Sequence, residues 1–297
     1  MAKEKLALKN WLHEATTRKI TFSELLLEKN AQELDVAKSD VVKQMLEMLE
    51  VMKSSAEYGL SGVHSRSNLT GGNAKKLLAA RQNASFKNLL GDLVGDAVTY
   101  ALAVAEANAA MGRIVAAPTA GASGVLPGAL LAVQKNYNLT DEKLAEGLVV
   151  AGGIGLVIAE RASLSGAMGG CQAETGSAAA MTAGALVDMF GGTPDQVGQA
   201  IAIAIKNMLG LVCDPVAGLV EVPCVKRNAG AVVQALLAAE LALAGVSSFI
   251  PADEVIDAMQ EVGERMHCSL KETADGGLAC SPTALAWTKV YFNKNEE

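Results

Sequence analysis

The chain has 297 residues, 51% hydrophobic but only 4% aromatic, enough to bury a large core built mostly from small side chains. Its 32 acidic residues outnumber 25 basic ones, and the net charge of −7 excludes nucleic acid as the main partner, because phosphate binding wants a basic face. Five cysteines is an odd number, and residues 1–20 lack the continuous apolar run of an export signal. Reduced thiols in the cytoplasm are therefore expected rather than disulfides.

Residues 1–58 are charge-rich and read as helices of a plain packing module. Thr21-Phe22-Ser23-Glu24 has the form of a capping box. Val41, Val42, Met45, Met48, Leu49 and Met52 fall on one helical face, with Ser39 or Asp40 as the N-cap. Residues 59–73 form a Gly/Ser/Asn-rich connection, of a length that often serves function. It carries Thr70 and Asn73 as candidate polar ligands. It also holds His64, the one histidine weighed as an acid–base group. The basic run Lys75, Lys76, Arg81, Lys87 reads as a solvated helix face.

From Leu89 to Val246 charges thin out and Ala and Gly dominate. Asp92–Met111 reads as helix. The uncharged stretch Ile114–Gln134 is long enough to span a membrane, but Pro118, Pro127 and its glycines favour a turn followed by a buried helix. Within it, Ala117–Gly124 holds Thr119 and Ser123 before a helical run. This is either an anion-binding helix N-terminus or a tight interhelical turn. Thr140–Ala159 reads as helix. Ser163 and Ser165 lie two apart in a Gly-rich loop, where they can bind a polar ligand or cap a helix.

Thr193-Pro194 starts another helix, with Thr at the N-cap and Pro at the first helical position. Asn228–Ala244 and Pro251–Met266 complete the set. No stretch alternates with period two, so the fold class is all-α, with residues 1–297 as a single helical domain divided into 1–58 and a core of 59–297. Each glycine inside a helix costs about 1 kcal/mol against alanine. The gain must come from close helix–helix approach or from close approach to a ligand.

Cys171, Cys213 and Cys224 each lie in a Gly-, Pro- or small-residue-rich context: Gly169-Gly170-Cys171, Cys213-Asp214-Pro215 and Val222-Pro223-Cys224. No Cys-x-x-Cys occurs, so ferredoxin and zinc-ribbon patterns are absent. Such thiols are either small buried hydrophobes or three ligands of an iron–sulfur cluster whose fourth iron stays open to substrate. Cys268 and Cys280 read as spare thiols.

Five segments carry a resemblance: Leu69-Thr70-Gly71-Gly72, Ala117-Pro118-Thr119-Ala120-Gly121, Ser163-Leu164-Ser165-Gly166-Ala167, Gly170-Cys171-Gln172-Ala173-Glu174, and the long run from Leu209 to Cys224. Together they resemble the iron–sulfur-dependent L-serine dehydratases, specifically the α chain of the two-subunit type, over nearly the whole length. The resemblance implies an all-helical catalytic domain. It implies a [4Fe–4S] cluster on Cys171, Cys213 and Cys224, with the open iron a Lewis acid for the β-hydroxyl. It implies conversion of L-serine to pyruvate and ammonia.

Substrate contacts are then expected from the Pro118–Gly124 turn, the Ser163/Ser165 loop and the Thr70/Asn73 loop. The family's base is a histidine on a separate β subunit, within Ser-Ser-Ser-His-Thr or Gly-His-His-Thr motifs that are missing here, so no base is assigned to this chain. Threonine or cysteine are alternative substrates. A non-catalytic subunit with zinc or a dry thiol core is the alternative of another class. A pyridoxal-phosphate enzyme would need a Lys and phosphate-loop pairing that the chain does not show.

Overall fold

Small side chains set the spacing between the central helices. The computed structural model describes residues 6–293 and is all-α. Among those residues no strand forms, only the isolated bridges His64–Gly71 and Cys213–Lys271. The first helices are α1 (Leu8–Arg18), α2 (Phe22–Leu34), α3 (Lys38–Leu60), α4 (Asn73–Gln82) and α5 (Gly91–Ala109). Then come α6 (Val125–Tyr137), α7 (Asp141–Arg161), the single-turn α8 (Gly166–Gly169) and α9 (Ser177–Met189). The last are α10 (Pro194–Met208), α11 (Cys224–Leu243), α12 (Ala252–Arg265) and α13 (Pro282–Asn293).

α9 is the centre, because every one of its residues is buried. A helix with no polar face belongs inside a core. It packs against α6, α7, α10 and α11. α5 forms a second focus, against α3, α6 and α11. Glycines permit these approaches: a Cβ on Gly128 would sit 2.8 Å from the Ala101 Cβ and 2.9 Å from the Ala97 carbonyl oxygen. One on Gly59 would strike the Ala103 carbonyl. Helix-on-helix contact thus accounts for the cost of these two glycines. The N-terminal helices share the same apolar cluster, since Leu8, Phe22, Leu25 and Leu49 are wholly buried within it.

Local signals set several helix ends. Thr193 and Gln196 form a complete capping box at α10, with Pro194 at the first position. Thr140 caps α7 and Thr21 caps α2, each through its side-chain oxygen. Other ends depart from the sequence expectation. α3 starts after Ala37, and Asp40 accepts from the Ala37 N–H at 3.2 Å from the third helical position. α11 begins at Cys224, one turn before Asn228. Arg81 is not part of a solvated face: its side chain is 9% exposed and its guanidinium pairs with Asp96 at 3.2 Å. Ile114–Gln134 folds as a turn and the buried first part of α6, and no helix among the described residues is long and apolar enough to cross a membrane.

Three helix starts are held from a distance by buried acids. Asp188 of α9 accepts from the Phe22 and Ser23 N–H groups at 2.9 and 3.2 Å. Asp253 of α12 accepts from Leu8 and Lys9 at 2.9 and 3.0 Å. Glu106 of α5 accepts from Asn73 and Ala74 at 2.9 and 3.1 Å. Each places a negative charge where unpaired N–H groups and the helix dipole favour it. Asp188→Ala should therefore lower unfolding free energy by about 3 kcal/mol, whereas Thr193→Ala should cost about 1 kcal/mol. Urea midpoints at constant slope measure both.

Candidate active site

Cys171 precedes a single π-turn, Gln172–Gly176, which joins it to α9. Such turns often mark functional positions. Gly170 allows the approach: its φ is +77°, and a Cβ would sit 2.7 Å from Met266 and 2.9 Å from the Leu211 carbonyl. Gln172 is wholly buried and ties three segments together. Its amide donates to Met259 O at 2.9 Å, its carbonyl accepts from Gly210 N at 2.9 Å, and its own N–H donates to Leu211 O at 2.9 Å.

Cys213 lies in the extended segment between α10 and α11. The segment 270–272 grips it: Cys213 N–H donates to Leu270 O at 2.9 Å, and Glu272 N–H donates to Cys213 O at 2.7 Å. Cys224 opens α11, one turn ahead of Arg227. The Arg227 guanidinium donates to Val212 O at 2.7 Å and pairs with Asp214 at 2.8 Å, so it fixes both neighbours of Cys213. Asp214 also accepts from Leu278 N at 2.8 Å.

The three thiols influence one another electrostatically. Cys171 and Cys213 are each 3% exposed and Cys224 is partly buried. Burial first, then the charges of Cys171 and Glu174, push the Cys224 thiol up to about 12. Burial and then Cys171 push Cys213 well up. Burial also raises Cys171, with Thr175 and Arg227 opposing. These interactions place the sulfurs within electrostatic reach of one another. Among the described residues, however, no three His, Cys, Asp or Glu side chains gather as ligands of one metal ion.

Glu174 stands at the same place. A Cβ on Gly166 would lie 2.8 Å from its Oε2 and 2.9 Å from Cys213 Sγ. A Cβ on Gly121 would lie 3.4 Å from its Oε1. Burial raises the Glu174 pKa, and Glu272 adds to the rise. Thr119 offsets part of it, although its contact falls outside hydrogen-bond geometry. The π-turn and the Gly121 and Gly166 turns therefore meet around one carboxylate and one thiol. A groove of about 640 Å³ bounded by Glu47, Glu50, Tyr58 and Arg113 includes none of these residues.

The other candidates divide. Ser123 is fully buried with its hydroxyl unpaired, and the adjoining Gly124 N–H donates to Asn228 at 2.9 Å. Ser163 Oγ accepts from Ser165 N at 3.1 Å, and Ser165 Oγ accepts from Ala167 N at 3.2 Å. Both hydroxyls thus shape the turn into α8. Asn73 is bound to Glu106 and to Thr70 Oγ1, within the α4 start. Ser65 and Ser67 both donate to Glu221 at 2.6 Å, which anchors the Thr70/Asn73 loop to the segment leading into Cys224. His13, His64 and His267 are exposed. Cys268 and Cys280 are exposed too.

Sequence reasoning missed Glu174, Arg227 and the grip of residues 270–278. Glu174 carried a readable signal, as an acid three residues after a cysteine in an uncharged stretch. Residues 270–278 carried none, because the pairing spans about sixty positions. Gly166→Ala should crowd the space between Glu174 and Cys213. Its φ is ordinary but the new Cβ would lie 2.8 Å from Glu174 Oε2 and 2.9 Å from Cys213 Sγ, so one of them must move, and labelling of Cys213 by a thiol reagent in urea-free buffer should speed up. Asp214→Ala should lower stability by about 3 kcal/mol by leaving Arg227 unpaired, seen in the urea midpoint.

Comparison with known proteins adds an independent finding. The family described as "Serine dehydratase alpha chain" matches residues 17–279. A Bacillus subtilis protein named "Probable L-serine dehydratase, alpha chain" is 51% identical over 275 residues, 93% of this chain and 91% of that protein. The "L-serine dehydratase, alpha chain" of Peptoniphilus asaccharolyticus is 44% identical over 267 residues, 90% of this chain and 91% of its own. An "L-serine dehydratase" of Streptomyces coelicolor is 40% identical over 267 residues, 88% of this chain but only 57% of that longer protein.

Proposed function

The chain belongs to the serine dehydratase alpha chain family, and on that footing we propose that it is the α chain of an L-serine dehydratase, converting L-serine to pyruvate and ammonia with a separate β subunit. The observation that carries this reading is the set of three mutually interacting thiols, two buried and one partly buried, on a chain 44–51% identical to relatives of that name.

The donor set fits a [4Fe–4S] group better than a single ion. A zinc ion draws its sulfurs to about 2.3 Å, whereas a multi-iron cluster keeps them further apart. Cys171, Cys213 and Cys224 would hold it, and when bound it supplies a Lewis acid for the substrate β-hydroxyl. Arg227 and Asp214 keep Cys213 in place, while Gln172 does the same for Cys171.

The substrate carboxylate is received by the turn holding Thr119 and Ser123 and by the Ser163/Ser165 turn, whose O–H groups can still donate. Thr70 and Asn73 border the site through the Glu221 anchor. The base that takes the α-proton is assigned to the β subunit, because the histidine motifs that carry it in the family are missing from this chain. The longer Streptomyces relative, of which the chain spans 57%, supports a missing complement. Five unpaired cysteines fit the cytoplasm, where thiols stay reduced.

Anaerobically purified protein should carry about four irons with acid-labile sulfide. Cys213→Ala should abolish them and Cys268→Ala should not. Equal effects would overturn the ligand assignment. Pyruvate should form from L-serine only after the β subunit is added, and full turnover by the cluster-loaded chain alone would refute the partner. Exposure to air should bleach the protein and remove activity together.

A further inference from the structure

We propose that Asn228 is a positioning residue of the dehydratase site: its side-chain amide ties the turn that receives the substrate carboxylate to the helical turn that carries Cys224. The assignment rests on the dehydratase reading above and adds a residue to it.

Hydrogen bonding is the first argument. Asn228 is 1% exposed and lies in the second turn of α11. Its Nδ2 donates to the Gly121 carbonyl at 2.7 Å and to the Cys224 carbonyl at 2.9 Å. Its Oδ1 accepts from the Gly124 N–H at 2.9 Å. Two carbonyls can only accept and a backbone N–H can only donate, so the amide has one orientation. Two of these partners lie 107 and 104 positions back in the chain. Asparagine is a poor residue for a helix interior, because its side chain competes for backbone groups. Here that same capacity joins two distant segments.

Place is the second argument. The first turn of α11 opens on Cys224 and closes on Arg227, which fixes both neighbours of Cys213. Asn228 is the next residue and reaches the turn at 121–124. That turn is closely packed: a Cβ on Gly124 would lie 2.4 Å from the Ala101 carbonyl oxygen and 3.0 Å from Asn228 Oδ1. Ser123, between the two anchored glycines, is wholly buried with its hydroxyl unpaired. The carboxylate and β-hydroxyl of L-serine stand on neighbouring carbons, so their partners must keep a fixed separation. Asn228 bonds to both sides of that separation, the carboxylate turn and the backbone of a cysteine ligand. A misplacement of about 1 Å can cost on the order of 100-fold in rate.

The test reads coupling. Hydrogen exchange of residues 119–124 is followed by mass spectrometry on the full chain, kept anaerobic, with and without reconstituted cluster. In the wild type, loading should slow exchange of this segment at least ~5-fold, and in Asn228→Ala less than ~2-fold at equal iron content. Asn228→Asp, which keeps the shape but offers no donor to the two carbonyls, should uncouple the turn in the same way. In the assembled α–β enzyme, Asn228→Ala should lower kcat for L-serine about 30-fold per bound cluster. Binding of L-alanine, which has no hydroxyl, should change by less than about 3-fold, whereas a merely structural role would weaken both alike.

No protection of the turn in the iron-loaded wild type, a result that needs no variant, would overturn the role of Asn228. So would protection that persists in both variants, or equal losses for L-serine turnover and L-alanine binding. A wild type that takes up no iron would instead bring down the dehydratase reading, and this assignment with it.

Discussion

The ion pair between Arg227 and Asp214, together with the bond from Arg227 to Val212 O, joins two parts of the chain that share no helix. One is the start of α11, where Cys224 sits. The other is the extended segment around Cys213. Without that clamp, Cys213 would be set by its two backbone bonds to residues 270–272 and by a proline two positions on. With it, a single guanidinium fixes the residues on both sides of the thiol. Breaking such a pair leaves a poorly solvated charge behind, so the clamp couples stability to the geometry of the site.

The packing of α9 supplies the other fixed reference. Because α9 is buried on every side, it cannot shift without disturbing α6, α7, α10 and α11 together. Cys171 joins it through the π-turn and Gln172, so the first thiol inherits the rigidity of the core. The site is thus built from loops whose ends are anchored in well-packed helices, an arrangement that suits precise placement of reacting groups.

Much of the fold was legible in the sequence where the signal was local. Thr193-Pro194 and Thr140 marked their helix starts, and the uncharged Ile114–Gln134 run declared its turn through Pro118 and its glycines. Where the cap came from afar, the sequence was silent. Nothing near Leu8, Phe22 or Asn73 reveals that Asp253, Asp188 and Glu106 hold those ends. The same divide runs through the site. The cysteines stood out by their glycine and proline surroundings. Arg227 went unread, one residue before the helix expected over Asn228–Ala244, because its partner Asp214 is visible only in three dimensions. Arg81 was misread for that reason too, since the acid that draws it inward lies 15 residues away.

The bonds that hold Cys213 and Asp214 reach forward to Leu270, Glu272 and Leu278, the last of them 64 positions downstream. During synthesis the thiols therefore leave the ribosome long before their surroundings exist. Cys171 waits for Met259, which Gln172 reaches, and Cys213 waits longer still, for residues 270–272 to arrive and close over it. Maturation of the centre is in this way a late event, and a nascent or nicked polypeptide interrupted between those points would carry the helices without a finished pocket.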